Sequence, residues 1–426
     1  MSLAVVADLY SSRRNLFLSS KDLEEMQVKK IRRLLTFAYD NVPFYHEKLR
    51  SAGIKPIDVQ RVEDIRKIPA TSKTELQRTP LNKIVARDVN IEKCVKSRTS
   101  GSTGLPLTTL ASQKTDRFNG TMIYRAYFRN GMRLRDRMAI VKDLSSHPVQ
   151  YRSWVRYLGL MRTNYVSVFD DPRMQIRFLN REKPEIIESY PSSLAIIADF
   201  YEDLVTVKPR LVFTLGEFLD RRSREIITRV FRTDLYDYYA SSEIGLISWE
   251  CQRHLEYHIN ADNVLVEFIG EDGECLAPGE KGEIVCTNLF NYEMPLIRYC
   301  HEDIGVAVNG NCSCGVKLPL MRIEGGKKDD FLLSVNGRVI PPTIFFPYPF
   351  EDFGKIRQFK VIQEKRDMLR IQLVTNAELD PTVFDKATKE IRRVFGKDMQ
   401  VEFEIVDQLA KDPSGKLTKI ISKIRM

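Results

Sequence analysis

Between residues 137 and 239 the chain repeats one pattern, a short apolar run, a loop and an amphipathic stretch, and this alternation constrains the fold more than any other feature. Met138-Ala139-Ile140-Val141, Ile186-Ile187-Glu188-Ser189-Tyr190, Leu211-Val212-Phe213-Thr214 and residues 235–239 read as buried strands. Each is short, apolar and bounded by turn-forming residues. Residues 114–128, 194–204 and 221–231 read as helices around them. Strands that alternate with helices pack as a mostly parallel sheet, and ligands then bind in loops beyond the carboxyl ends of the strands.

The flanks read differently. Residues 22–40 form a helix with Asp22 and Glu25 as its capping box, ended by Asn41-Val42-Pro43. A short helix follows over 44–52, and Thr71 or Ser72 caps another. From about 260 to 325 short strands joined by glycine-bearing turns predict a β subdomain. Paired strands at 359–363 and 369–374, a helix at 381–395 and a strand at 401–406 predict a small α+β domain. The expected division is therefore 1–328 and 329–426, with a hinge in Glu324-Gly325-Gly326-Lys327-Lys328-Asp329-Asp330.

A chain of 426 residues, 43% hydrophobic and with no apolar stretch long enough for a bilayer, predicts a soluble, multidomain protein with no membrane partner. Residues 1–8 lack a cationic leader, which predicts a cytoplasmic location. The net charge is +9, but the basic residues fall in short groups on amphipathic faces, so the expectation is no nucleic-acid partner.

The chemistry concentrates in a few stretches. Ser97-Arg98-Thr99-Ser100-Gly101-Ser102-Thr103-Gly104-Leu105-Pro106 combines four hydroxyls with two glycines, and successive N–H groups in such a turn make an anion-binding concavity. It lacks the Lys of the GxxxxGK[ST] loop. Tyr236-Asp237-Tyr238-Tyr239-Ala240-Ser241-Ser242-Glu243 lies just past a strand, where a carboxylate can hold Mg²⁺ and an aromatic can cover a base. Leu215-Gly216-Glu217 closes the preceding strand and, with residues 238–241 and the stretch after Tyr190, is expected to line the substrate pocket. His147 follows another strand and faces the same expectation. Asp303 is placed in a turn suited to sugar hydroxyls, and Lys416, in Asp412-Pro413-Ser414-Gly415-Lys416, on a tight turn from which it can reach a phosphate.

In this order and at these separations the set resembles the adenylate-forming ligase superfamily, specifically its phenylacetate–CoA ligase-like branch, over essentially the whole chain. The resemblance implies ATP, Mg²⁺ and coenzyme A as cofactors and a two-step reaction: a carboxylate forms an acyl-adenylate, and a thiol displaces AMP. It implies catalytic roles for Lys416, Glu243 and Thr99, with Glu243 on Mg²⁺. Ser100, Gly101, Ser102, Thr103 and Gly104 would bind the phosphates. Gly216, Glu217, Tyr239, Ala240, Ser241, Ser242, Asp303, Lys327 and Asp329 would complete the nucleotide site and hinge, with Tyr239 against adenine and Asp303 on the ribose. The fold implied is a large α/β amino-terminal domain and a small mobile carboxy-terminal one. Glu302 stands where glycine is usual before the Asp, and Lys327 where Arg is usual. An amine, hydroxyl or carrier-protein thiol as acceptor, and a non-turnover nucleotide-binding homologue, remain as alternatives. The substrate expected is a small carboxylic acid, aromatic or short-chain, and the resemblance admits a homodimer.

Cys251, His258, Cys312 and Cys314 carry the thiolate and imidazole donors that zinc prefers, with His254 as the rival to His258. Some members of the branch are similar here, with a zinc site beside the β subdomain. Four protein ligands would make the zinc structural. Cys94, Cys275, Cys286 and Cys300 are expected as small core residues.

Overall fold

The computed structural model describes residues 3–98, 107–142, 159–254, 256–327, 332–337, 339–340, 355–375, 377–410 and 417–424. The chain is mixed α/β and divides into two compact units: Met1–Asp136, Gln150–Arg162 and Tyr236–Ile323 in one, Arg137–Val149, Thr163–Leu235 and Glu324–Met426 in the other.

The first unit opens with helices α1 (Leu3–Asn15), α2 (Ser20–Asn41), α3 (Pro43–Ser51), α4 (Lys73–Arg78) and α5 (Leu81–Ile84). The cap of α2 is Ser19, whose hydroxyl accepts from Asp22 N, so the box expected at Asp22 and Glu25 is corrected to start three residues earlier. Ile31, Leu34, Leu35 and Ala38 on α2 pack with Tyr45 and Leu49 of α3 against Leu265, Leu289 and Ile297. Strands β1 (Val95–Arg98) and β2 (Thr108–Ala111) pair antiparallel, and α6 (Gln113–Arg129) follows them, capped by Ser112.

The remaining strands of this unit are β7 (Asp234–Ser241), β8 (Gly245–Glu250), β9 (Tyr257–Ile259), β10 (Val264–Ile269), β11 (Lys281–Asn288), β12 (Tyr299–Val308) and β13 (Leu320–Lys327); the start of β7 and the end of β13 belong to the second unit. They lie in the order β10-β11-β12-β13-β9-β8-β7. Gly305 on β12 is required by close approach: a Cβ there would meet Arg322 O at 3.0 Å.

In the second unit, β3 (Arg137–Lys142), β5 (Ile186–Ser189) and β6 (Leu211–Leu215) pair in parallel, with β4 (Arg162–Ser167) beside β3. Helices α7 (Pro172–Glu182), α8 (Pro191–Phe200) and α9 (Arg221–Phe231) pack on them through Ile176, Leu194, Ile197, Ile227 and Phe231. The helix expected over 194–204 begins at Pro191, whose fixed φ suits the first turn, and gives way to a 3₁₀ turn at Glu202–Leu204.

The carboxy-terminal strands are β14 (Leu332–Leu333), β15 (Val339–Ile340), β16 (Ile356–Lys365), β17 (Met368–Thr375), β18 (Gln400–Ile405) and β19 (Ile420–Ser422). The last four form a sheet in the order β18-β17-β16-β19. Helix α10 (Pro381–Phe395), N-capped by Asp380, buries Ala387, Ile391 and Phe395 against Val361, Leu369 and Ile371. No described helix is long and apolar enough to cross a membrane.

Candidate active site and metal centre

Local sequence explains how β7 presents its end. Ser241 pairs with Gly245, leaving Ser242, Glu243 and Ile244 as a three-residue hairpin tip. Gly245 takes φ +86°, a conformation that a side chain would resist. The tip is braced from two sides: Asn288 Nδ2 donates to Ile244 O at 3.0 Å, and Thr109 Oγ1 to Ser242 O at 3.4 Å. Thr109 lies on β2, the strand that follows the Ser/Thr/Gly stretch and pairs with β1 before it, so β2 reaches the hairpin tip that carries Glu243.

Behind the tip, the Tyr239 hydroxyl donates to Asp303 Oδ2 at 2.5 Å, and His301 Nδ1 lies 3.1 Å from the same oxygen and 3.3 Å from the hydroxyl. Burial, then the Asp303 carboxylate, pushes the Tyr239 phenol well above its ordinary pKa, so it remains a donor. Tyr299 contributes a 3.4 Å hydrogen bond to Glu243 Oε1, and its phenol too is raised, by burial first and Glu243 second.

Asp303 is not in a turn. It lies within β12, where the register against β11 slips between Glu283/Ile304 and Val285/Cys300. Glu302 absorbs the bulge at φ +67°, the left-handed region where a non-glycine residue is strained by about 1–2 kcal/mol. The glycine expected from the resemblance would sit there without that cost. The early segment braces the same strand: Thr71 N donates to Arg298 O at 2.7 Å and Cys300 N to Thr71 O at 2.9 Å.

In the second unit the Glu217 carboxylate accepts from Ser192 N and Ser192 Oγ, both at 2.9 Å, and from Leu417 N at 2.8 Å. Gly216 adopts φ +85° beside it. Lys327 ends β13. Thr99, Ser100, Gly101, Ser102, Thr103, Gly104, His147, Asp329 and Lys416 lie outside the described residues.

Cys251 follows β8, His258 lies on β9, and Cys312 and Cys314 occupy the β12–β13 connection. Their donor atoms all lie within 4.8 Å of one another. Cys251 Sγ and Cys312 Sγ are 3.5 Å apart, and Cys314 Sγ is 3.3 Å from His258 Nε2. Backbone N–H groups of Arg253, Cys314 and Val316 point at the sulfurs of Cys251, Cys312 and Cys314, each at 3.5 Å. Donors aimed at three sulfurs favour thiolates. Burial pushes the Cys251 thiol up to about 12 and the His258 imidazole down to about 4.

His254, the rival ligand, instead stacks on Tyr236 with ring centroids 4.8 Å apart and approaches Glu250 at 3.7 Å. The expectation for the other cysteines holds for Cys286, which is buried, and is corrected for Cys94, Cys275 and Cys300, which are only half-buried. His301 and Tyr299 were not singled out from the sequence. The available signal was spacing: alternate residues of a strand share a face, as His301 and Asp303 do here.

Residues 332–423 match the family described as the CapK C-terminal domain. Phenylacetate-coenzyme A ligase of Pseudomonas putida is 27% identical over 370 residues, spanning 84% of this chain and 80% of that protein. Protein CapK of Staphylococcus aureus is 22% identical over 419 residues, spanning 95% and 90%. A crystal structure of 2-hydroxyisobutyryl-CoA ligase in the postadenylation state superposes with a TM-score of 0.79 at 16% identity, covering 96% of this chain and 91% of that one. The hydroxyl-rich stretch, the Tyr/Ser/Ser/Glu hairpin and the paired Asp303 beside it thus accompany a similarity to phenylacetate-coenzyme A ligase and to protein CapK over most of the chain, on a fold like that of 2-hydroxyisobutyryl-CoA ligase.

Proposed function

We propose that this protein is an AMP-forming acid–CoA ligase: ATP activates a small carboxylic acid as an acyl-adenylate, and the thiol of coenzyme A then displaces AMP. The observation that carries this reading is the convergence, within one compact unit, of the strand after the Ser/Thr/Gly stretch, the Glu243 hairpin tip and the Tyr239–Asp303 pair. Activation of this kind is largely charge neutralisation and positioning at the phosphates.

In this reading Thr99–Gly104 supply donors to the phosphates, and Glu243 holds Mg²⁺. Tyr239 lies against the adenine, its hydroxyl keeping Asp303 oriented toward the ribose. Ala240, Ser241 and Ser242 contribute backbone around the nucleotide. Residues 1–328 carry this machinery, and residues 329–426 carry Lys416, whose ammonium bridges the charge that develops during adenylation. The hinge is at Lys327 and Asp329. Glu302 and Lys327 depart from the branch's usual residues, yet the β12 bulge accommodates Glu302 without displacing Asp303 from Tyr239.

Cys251, His258, Cys312 and Cys314 hold a structural zinc. The donors fit: a tetrahedral ion with Zn–S bonds of about 2.3 Å sets its sulfurs about 3.8 Å apart, close to the observed cluster. Bound there, the ion ties the β8–β9 connection to the β12–β13 connection and supplies no open coordination position.

The test is ATP–pyrophosphate exchange with phenylacetate, anthranilate and 2-hydroxyisobutyrate, followed by AMP release with coenzyme A, amines or a carrier protein as acceptor. Exchange with an acid and coenzyme A-dependent AMP release are expected. Exchange with none of a broad panel of acids would leave only nucleotide binding.

A further inference from the structure

The loop that joins β6 to α9, together with the first turn of α9, carries three side chains directed at the carboxy-terminal segments. Glu217 Oε1 accepts from Leu417 N at 2.8 Å, while the same carboxylate holds the first turn of α8 through Ser192. Asp220 accepts from Lys419 Nζ at 2.7 Å and also N-caps α9, accepting from Ser223 N at 2.9 Å and Ser223 Oγ at 2.7 Å. Arg222 donates to Ile356 O at 3.1 Å and to Asp199 at 3.3 Å. Leu417, Lys419 and Ile356 lie at the approaches to β19 and β16, the two strands that pair in parallel.

One of these pairs joins a buried carboxylate to a half-buried ammonium, where a lost partner is costly. Asp220 is 5% exposed, and the Lys419 side chain is 26% exposed. Burial opposes the Asp220 charge, but the Lys419 ammonium and the Ser223 donors outweigh it and hold the carboxyl below its usual range. Removing one member of such a pair leaves the other's charge poorly solvated. Leu417 is the residue after Lys416, so a grip on its backbone N–H is a grip on the segment that carries the proposed adenylation lysine.

We infer that Glu217 and Asp220 are positioning residues that latch the segment following Lys416 and so serve adenylate formation but not the thiol step. The inference rests on the ligase reading above for its kinetic consequence, and on the hydrogen bonds alone for the latch itself. Glu217 then acts through its hold on the carboxy-terminal segment and on α8 rather than as a ligand of the nucleotide.

The experiment uses the full-length protein and the variants Asp220→Asn, Lys419→Met, Lys419→Arg and Glu217→Gln. Asparagine remains a good N-cap, so Asp220→Asn removes charge while preserving α9. Asp220→Asn and Lys419→Met should each lower the kcat of ATP–pyrophosphate exchange with phenylacetate by about tenfold, equivalent to about 1.4 kcal/mol, with little change in the KM for ATP. Thioester formation from supplied phenylacetyl-adenylate and coenzyme A should keep its rate, and Lys419→Arg should restore exchange. Glu217→Gln should show the same split. Amide hydrogen exchange read over residues 417–422 should quicken in Asp220→Asn and Lys419→Met but not in Lys419→Arg. Equal loss in both half-reactions, or unchanged amide protection in the Met and Asn variants, overturns the latch. If wild-type protein supports exchange with no acid, the ligase reading fails, while the amide protection still decides whether the latch exists.

Discussion

Tyr239, His301 and Asp303 on one side, and Cys251, His258, Cys312 and Cys314 on the other, are both clusters of polar side chains on the strands and connections of the first unit, but they meet burial differently. In the first cluster a neutral phenol donates to a carboxylate and an imidazole lies against the same oxygen, so the groups satisfy one another. In the second, three sulfurs and an imidazole nitrogen crowd within 4.8 Å with three backbone N–H groups turned toward the sulfurs. That set lacks positive charge of its own. The first cluster is held together by its own hydrogen bonds and its loss should affect binding; the second, on the zinc reading proposed above, is held by a cation and its loss should affect the fold.

The largest expected effect separates the two directly. On the zinc reading, treatment with a chelator, or Cys314→Ser, should destabilise the chain by more than about 4 kcal/mol, read as a fall in the urea midpoint. Exchange activity per folded molecule should be unchanged. Metal analysis of the purified protein accompanies this test, and a midpoint indifferent to chelator would break the contrast. Next comes Asp303→Asn, which should raise the KM for ATP about 30-fold, near 2 kcal/mol for a hydrogen bond to a charged group. Its thermal midpoint should stay at the wild-type value; a large drop would mean that the carboxylate serves the fold instead.

Tyr239→Phe removes the donor but keeps the ring and His301, so a smaller change of about 1 kcal/mol, roughly fivefold in KM for ATP, is expected. A loss as large as that of Asp303→Asn would show that the phenol is needed to orient the carboxylate. The smallest effect belongs to Glu302→Gly. Relief of the positive φ should stabilise the protein by about 0.5–1 kcal/mol in thermal unfolding, with the KM for ATP unaltered. A changed KM would tie the strained backbone to nucleotide binding.

Much of the framework was legible residue by residue. Helices α9 and α10 begin and end where periodicity placed them, because Asp220 and Asp380 cap them and each carries a clear apolar face. Strands β3, β10 and β17 were legible for a similar reason, being short apolar or alternating runs with turns at their ends. Helices α1 and α7 were missed: α1 has almost no apolar face to detect, whereas α7, capped by Asp171 and burying Ile176 and Leu179 on one side, carried a legible amphipathic signal that was overlooked. Strand β12 was read as a turn around Asp303 because Glu302-Asp303 is locally turn-like, whereas the bulge that keeps it in the sheet depends on β11.

Chain order alone determined the helix caps, the alternation that makes the α/β layer and the kinds of side chain available for nucleotide and metal, since these depend on neighbours within a few residues. Tertiary structure decided which of them meet. It selected His258 over His254, joined His301 to Asp303 on a bulged strand, and turned Glu217 toward the backbone of Leu417. The physical reason is range: capping and periodicity act within one or two turns, while a ligand pair or a latch forms only where strands distant in sequence are brought within about 3 Å of one another.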